Sequence, residues 1–124
     1  MSAAQWKRFF QICAEVLGKG NWRIELSNSW CSFTTFRRLS ESDAGYWTNG
    51  LPNSEDIYDS YIGDGGVWGQ PFQYSELAHI LIPRTFMTDN GKEKSQNLEA
   101  LAARLSAEKL PFRKTEIVLE IKLY

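Results

Sequence analysis

The sequence predicts a single α+β (mixed α/β) domain, in which one sheet of about four to six strands carries two packed helices. Three observations lead to this prediction. Apolar residues follow a helical period near the start of the chain and again near residue 100, while other segments alternate or are continuously apolar. A long irregular stretch separates the two halves. With 124 residues and 43% hydrophobic content, the chain has the size and composition of one domain, 1–124, with its own core.

The first predicted helix carries an apolar stripe close to the start of the chain. Its apolar positions, all at helical spacing, are Trp6, Phe9, Phe10, Cys13, Val16 and Leu17. Ser2 is placed to cap this helix, and Gly18 and Gly20 are placed to end it. Because Cys13 lies within the stripe, a buried structural thiol is favoured over a reactive one. Cys13 and Cys31 form no CxxC motif. Two such isolated cysteines are typical of the reduced core of a cytoplasmic protein.

Three further segments predict strands or a hairpin. Apolar and polar positions alternate in residues 22–28, as expected for a half-buried strand. Residues 30–38 are rich in β-forming types, and together the two segments predict an antiparallel hairpin, although the second also fits a helical turn. Residues 77–83 form a nearly continuous apolar run, which predicts a strand covered on both faces and ended by Pro83.

The last part of the chain predicts a helix followed by a strand. The helix starts from a cap at about Ser95 and ends near Lys109, and the strand covers residues 115–123. With strand 77–83, these elements form one crossover unit, which is right-handed if the two strands are parallel and adjacent. The predicted order is therefore helix, strand, strand, irregular insert, strand, helix, strand.

The irregular insert occupies about residues 40–76 and is acidic, aromatic and rich in glycine. Its glycine and proline residues, which interrupt regular secondary structure, are Gly45, Gly50, Pro52, Gly63, Gly65, Gly66, Gly69 and Pro71. Short strand pieces are expected at 46–47 and 67–68, and one helical turn is expected at 54–61, capped by Ser54. A long irregular segment within a compact domain is usually functional.

Charge is segregated along the chain in a way that points to the same insert. From Leu39 to Pro83 there are seven acidic residues and no Lys or Arg, a net charge of −7. The rest of the chain carries 14 basic and 8 acidic residues, a net charge of +6. A patch of one sign concentrates electrostatic potential and attracts partners of the opposite sign.

Catalytic and metal-binding patterns are missing from the sequence. His79, the only histidine, lies in an apolar segment, which favours a core histidine over a general base. The glycine-rich stretch 59–66 lacks the alternating ligands of a calcium loop, and no phosphate-binding motif occurs. Glu55 paired with Asp56 or Asp59 could serve a glycosidase, but solvated acidic loops are far commoner.

These patterns define the function classes that the sequence disfavours. The sequence predicts no enzyme, no catalytic residues, no cofactor and no metal. It predicts no nucleic-acid partner, because the basic residues form no stripe interleaved with aromatics. It also predicts no membrane partner, because no apolar run approaches the roughly 18 to 20 residues of a bilayer span.

The insert instead predicts a protein-binding surface, on which carboxylates steer a basic partner and aromatic rings anchor it. The predicted contact residues are Glu55, Asp56, Asp59, Asp64, Tyr46, Trp47, Tyr58, Tyr61 and Trp68. The opposing interpretation is a solvated loop whose aromatic residues cover the sheet. The two interpretations differ in whether these rings are exposed.

A small cytoplasmic α+β domain with such an acidic aromatic face resembles the immunity proteins that neutralise bacterial toxins, including contact-dependent and polymorphic toxins. The resemblance is carried by the central carboxylates together with Tyr46, Trp47, Tyr58, Tyr61 and Trp68. It implies tight binding to a basic toxin or nuclease domain. Two alternatives remain: a bacterial housekeeping domain with a purely structural loop, and a small carbohydrate-binding or carbohydrate-processing domain with Trp47 and Trp68 as sugar platforms.

Overall fold

The computed structural model describes residues 1–64 and 66–122 and confirms the α+β class. Gly65 and Leu123, which belong to the predicted insert and the predicted last strand, lie outside the described residues. The helices are α1 (Ala3–Leu17) and α2 (Leu98–Ala107). The strands are β1 (Cys31–Thr34), β2 (Trp47–Asn49), β3 (Tyr61–Ile62), β4 (Phe72–Gln73), β5 (His79–Pro83), β6 (Thr85–Met87), β7 (Glu93–Ser95), β8 (Arg113–Lys114) and β9 (Val118–Lys122).

The main sheet has five strands in the order β2-β1-β5-β9-β8, and every neighbouring pair is antiparallel. Two small antiparallel ribbons, β3–β4 and β6–β7, complete the strands. The strand number lies within the predicted four to six. Because β5 has a neighbour on each side and burial along most of its length, the continuous apolar run at 77–83 is explained.

Helix α1 begins and ends as its sequence predicts. The Ser2 hydroxyl accepts a hydrogen bond from the Gln5 backbone N–H at 3.2 Å, and the Gln5 side chain accepts one from the Ser2 N–H at 2.8 Å. This reciprocal pair is a capping box, worth about 1 kcal/mol. Gly18 ends the helix with a φ of 93°, a conformation that residues with a Cβ adopt at a cost.

The core lies between the two helices and one face of the main sheet. The apolar stripe of α1, the buried face of α2 and the inward side chains of β1, β5 and β9 belong to a single buried cluster. Cys13 and Cys31 are both free and fully buried in it, as expected for structural thiols. Burial raises the thiol pKa of both residues, so neither is a reactive thiolate.

The predicted strand at 22–28 is wrong. Ile24–Leu26 form a 3₁₀ turn, and the alternating apolar residues Trp22 and Leu26 are exposed. The backbone carbonyls of this segment bind a side chain and pair with no strand. The Lys94 ammonium donates to the carbonyl oxygens of Glu25 at 2.7 Å, Ser27 at 2.9 Å and Ile24 at 3.5 Å. Strand β1 therefore pairs with β2 and β5, and the predicted hairpin is absent from this region.

The predicted crossover unit is also wrong, because β5 and β9 are neighbours but antiparallel. The helix leads first into β8, a two-residue strand that the sequence pattern did not reveal. A tight turn, in which the Thr115 N–H donates to the Val118 carbonyl at 2.8 Å, then reverses the chain into β9. This extra reversal makes β9 antiparallel to β5. Helix α2 is capped by Asn97, while Ser95, the predicted cap, ends β7.

The insert is mostly irregular, as predicted, with three local differences. Trp47 begins β2, which is longer than the strand piece predicted at 46–47. The turn at Ser54–Asp56 is 3₁₀ and starts from Asn53, so Ser54 is not its cap. Residues 67–68 form a turn where a strand piece was predicted. Within the described part of the chain, neither helix has the length and apolarity required to cross a membrane.

Candidate functional site

Six of the nine predicted contact residues lie together within ten consecutive positions. We call this group the tyrosine–carboxylate surface, and its members are Glu55, Asp56, Tyr58, Asp59, Tyr61 and Asp64. The chain folds back on itself here through an antiparallel bridge between Ile57 and Ile62 and a 3.0 Å hydrogen bond from the Tyr58 N–H to the Tyr61 carbonyl. Gly63, the residue before Asp64, lies beside Asp56, because its N–H donates to the Asp56 carbonyl at 2.7 Å.

The two tyrosine rings of this surface are stacked and exposed. Their centroids are 4.9 Å apart and their planes differ by 10°. Tyr58 is 46% exposed and Tyr61 is 38% exposed. Since tyrosine supplies a large contact area at a low conformational-entropy cost, a stacked exposed pair is suited to anchor a partner.

Hydrogen bonds from a buried tyrosine, Tyr74, fix the conformation of this turn. Tyr74 is 1% exposed, and its hydroxyl donates to the Tyr58 carbonyl at 2.6 Å. Its backbone N–H donates to the Ser60 carbonyl at 3.0 Å. Burial, with a smaller contribution from Asp59, raises the pKa of Tyr74 to about 12, so the hydroxyl remains a donor. The exposed tyrosines are therefore presented by a fixed turn, which reduces the entropy lost on binding.

The carboxylates of the surface have different environments. Asp59 forms an ion pair with Lys7, and this hydrogen bond lowers the pKa of Asp59. Desolvation, followed by repulsion from Glu55, raises the pKa of Asp56. Asp56 lies against the backbone of Gly66, where an added Cβ would be 2.5 Å from the Asp56 carboxyl carbon. Glu55 and Asp64 are exposed.

We expect Asp59 to titrate below the ordinary aspartate pKa of 3.8 and Asp56 to titrate above it. The ionised form of Asp59 stabilises the fold, and this contribution is lost as the pH falls through its lowered folded-state pKa. Ionisation of Asp56 has the opposite sign, so its destabilising effect is present above the raised folded-state pKa and absent below the unfolded-state value. Carboxyl ¹³C NMR titration measures both values.

The Lys7→Met variant tests whether Lys7 causes the lowered pKa of Asp59, and the Lys92→Met variant is the control. The first substitution should raise the pKa of Asp59 towards 3.8 and leave Asp56 unchanged, while the second should change neither. Identical titration of the two aspartates in the unsubstituted protein would contradict the described environments.

Trp68 does not belong to an exposed surface, so the prediction that it anchors a partner from the surface is wrong. It is 6% exposed, its ring stacks on Phe33 with centroids 3.8 Å apart, and its indole N–H donates to the Gly50 carbonyl at 2.9 Å. Trp68 is one of several buried residues by which the insert covers the core, together with Leu51, Ile62 and Phe72. Trp47 is 41% exposed, with its ring packed near Phe33 and Phe72.

Tyr46 lies apart from the tyrosine–carboxylate surface, next to His79. Its hydroxyl is 2.7 Å from His79 Nδ1 and 3.3 Å from the Leu39 carbonyl. His79 is 1% exposed, which agrees with the predicted core histidine, and its Nε2 has no hydrogen-bond partner within the described residues. Burial and the nearby acidic residues raise the pKa of Tyr46. His79 is therefore closed to solvent, while Tyr46, which is partly exposed, covers it.

A cleft that the sequence did not predict lies near the exposed Trp22. Its volume is about 540 Å³, and its walls are formed by Trp22, Arg23, Ile24, Glu25, Trp30, Thr48 and Asp89. A smaller recess of about 270 Å³ shares Trp22 and includes Glu55 and Asp56. The sequence analysis missed this cleft because the alternation of apolar residues at 22–26 predicted a strand there. The two glycines and the asparagine at 18–21 were the available signal for a loop.

Among residues 1–64 and 66–122, no group of three or more His, Cys, Asp and Glu side chains is arranged to hold a metal ion. No protein-family model matches this chain, and no curated protein and no solved structure matches it significantly.

Proposed function

We propose that this protein is a cytoplasmic binding protein of the immunity or inhibitor type, which neutralises a basic toxin or nuclease domain through its tyrosine–carboxylate surface. The observation that carries the proposal is the exposed Tyr58–Tyr61 stack, held on a fixed turn whose sequence, residues 55–64, includes four acidic residues. The two buried free thiols, Cys13 and Cys31, fit a reducing compartment.

The charge of this surface supports a basic partner. Its four carboxylates, with the ammonium of Lys7 beside Asp59, give a net charge of −3. Charges on such a surface mainly raise the association rate, up to about 10⁸–10⁹ M⁻¹s⁻¹ at low salt. The paired Asp59 contributes less than the exposed Glu55 and Asp64, because Lys7 already neutralises it.

The stacked tyrosines supply the energy that slows dissociation. Tyrosine is enriched among interface hot spots, the few residues whose truncation to alanine costs about 2 kcal/mol or more. A nuclease cleft is built to hold phosphates, so a surface that presents clustered carboxylates competes for the same basic residues. The proposed mechanism is therefore occlusion of the partner's active site, with steering by charge and retention by Tyr58 and Tyr61.

Affinity capture from the source cell tests this proposal, with the intact protein as bait. We expect a basic protein that is retained at low salt, released as salt rises, and lost from a Glu55→Lys, Asp64→Lys double variant. The matched control is Glu93→Lys, Glu116→Lys, which changes the net charge equally at exposed positions outside the surface. The captured partner's association rate should fall at least about tenfold for the first variant only.

Two results would contradict the proposal. The first is a captured partner whose association rate does not depend on salt. The second is equal retention by both double variants when circular dichroism shows that each is folded. Tyr58→Ala, Tyr61→Ala then separates the two parts of the mechanism, because it should raise the dissociation rate while leaving the salt dependence of association unchanged.

A further inference from the structure

We infer that the cleft between Trp22 and Trp30 binds a neutral saccharide. None of the residues that line this cleft belongs to the tyrosine–carboxylate surface. The cleft is lined by residues of segment 22–25, by Trp30, by Thr48 of β2 and by Asp89 in the turn between β6 and β7. Its volume of about 540 Å³ lies within the range of about 300–1,000 Å³ that is typical of small-ligand sites.

The wall of the cleft that contains Trp22 is fixed by contacts on two sides. On one side, the Lys94 ammonium holds the carbonyls of Ile24, Glu25 and Ser27. On the other side, Gly20 and Asn53 exchange two hydrogen bonds, at 2.8 Å and 3.1 Å. A loop held in this way forms a pre-organised site, so little ordering entropy is lost when a ligand binds.

Trp22 is exposed although its loop is fixed. At 70% exposure it is the most exposed of the five tryptophans, so most of its ring is open to a ligand. Trp30 is partly buried, and its ring stacks on Phe86 with centroids 5.9 Å apart and planes 20° apart. An exposed indole on a rigid support is a platform for the C–H face of a sugar ring.

The polar groups of the cleft select a ligand that both donates and accepts hydrogen bonds. The carboxylates of Glu25 and Asp89 accept, the Arg23 guanidinium donates, and the Thr48 hydroxyl does either. A sugar hydroxyl satisfies both kinds of partner. A phosphate would be repelled by the two carboxylates and by the neighbouring Glu55–Asp56 recess. The same carboxylates outnumber Arg23 and would attract a cation, so the feature that favours a saccharide is the exposed Trp22 ring together with hydrogen-bond partners of both kinds.

NMR titration of the full chain tests this inference, with the Trp22 and Trp30 indole N–H signals as reporters. The probes are maltotriose, cellotriose and triacetylchitotriose, with guanosine monophosphate and N-acetylarginine amide as charged comparisons. We expect saturable shifts of both indole signals with at least one trisaccharide at millimolar concentration and none with guanosine monophosphate. N-acetylarginine amide, which the net negative charge of the cleft attracts, should bind more weakly than that trisaccharide. Trp22→Ala should weaken binding about tenfold, as expected for loss of one stacking contact.

Trp47→Ala is the matched control, because Trp47 is an exposed tryptophan that does not line the cleft. It should leave trisaccharide affinity unchanged, and Asp89→Asn should weaken it in a protein with an intact tryptophan platform. Each of three results would overturn the inference: no shift with any trisaccharide, binding of a charged probe in place of the sugars, or full affinity in the Trp22→Ala protein.

Discussion

Replacing Trp68 with alanine should lower the free energy of unfolding by about 3–5 kcal/mol, as for other truncations of buried large aromatic residues. The indole contributes ring contacts to Phe33 and to Phe10 and a hydrogen bond to the Gly50 carbonyl. Its removal leaves a cavity in the core and an acceptor without its donor. Urea denaturation measured by circular dichroism gives the change, and Trp68→Phe should recover part of it.

Trp47→Ala is the comparison that makes this prediction specific. Trp47 also contacts Phe33, but it is 41% exposed, so its removal exposes less new apolar surface and should cost clearly less than the removal of Trp68. If the two alanine variants lost equal stability, Trp68 could not be the core residue described here.

Gly20→Ala should lower the free energy of unfolding by more than about 3 kcal/mol, beyond the usual cost of an overpacked core position. A Cβ at Gly20 would lie 1.9 Å from the Leu51 carbonyl oxygen and 2.8 Å from the Leu51 nitrogen. Both atoms belong to the backbone, so no side-chain rotation relieves the collision. Thermal unfolding and urea denaturation measure the loss.

Gly69→Ala separates this collision from the ordinary cost of replacing a glycine. Gly69 has a φ of 75°, but a Cβ there would have no heavy atom within 4 Å. Its substitution should cost only the left-handed conformation, about 1–2 kcal/mol. Equal effects at Gly20 and Gly69 would show that the chains around Gly20 and Leu51 separate readily, against the close approach described here.

The secondary-structure elements that are determined by residues close in sequence could be predicted from the sequence. Helix α1 follows from its apolar period and from the spacing of Ser2 and Gln5, which form the capping box. Strand β5 follows from a run of apolar residues that only a central strand would bury on both faces. In both cases, a few neighbouring residues contain enough information to determine the backbone conformation.

The elements that depend on contacts with residues far away in sequence could not be predicted in this way. Segment 22–28 has the alternation of a strand, but Lys94, about 70 residues away, binds its carbonyls. Strand β8 has only two residues, Arg113 and Lys114, and exists because it pairs with β9. Tertiary contacts overrode the local preference at both places.

The candidate site shows the same division. The acidic stretch placed Glu55, Asp59, Tyr58 and Tyr61 together because they are close in sequence. Composition could not separate Trp68 from those tyrosines, since the position of an aromatic ring relative to the core depends on contacts across the fold. The cleft at Trp22 was missed for a related reason, because it brings together residues as distant as Arg23, Thr48 and Asp89.

The clamp formed by Lys94 has a consequence for the order in which the chain acquires its structure. During synthesis, segment 22–27 leaves the ribosome long before residue 94 is added, so its carbonyls must remain hydrated until then. Closing so long a loop carries an entropic cost that only later contacts offset. We therefore expect the segment that contains Trp22 to reach its final conformation only after the β6–β7 ribbon has docked, and nascent chains that end before residue 94 to lack the cleft.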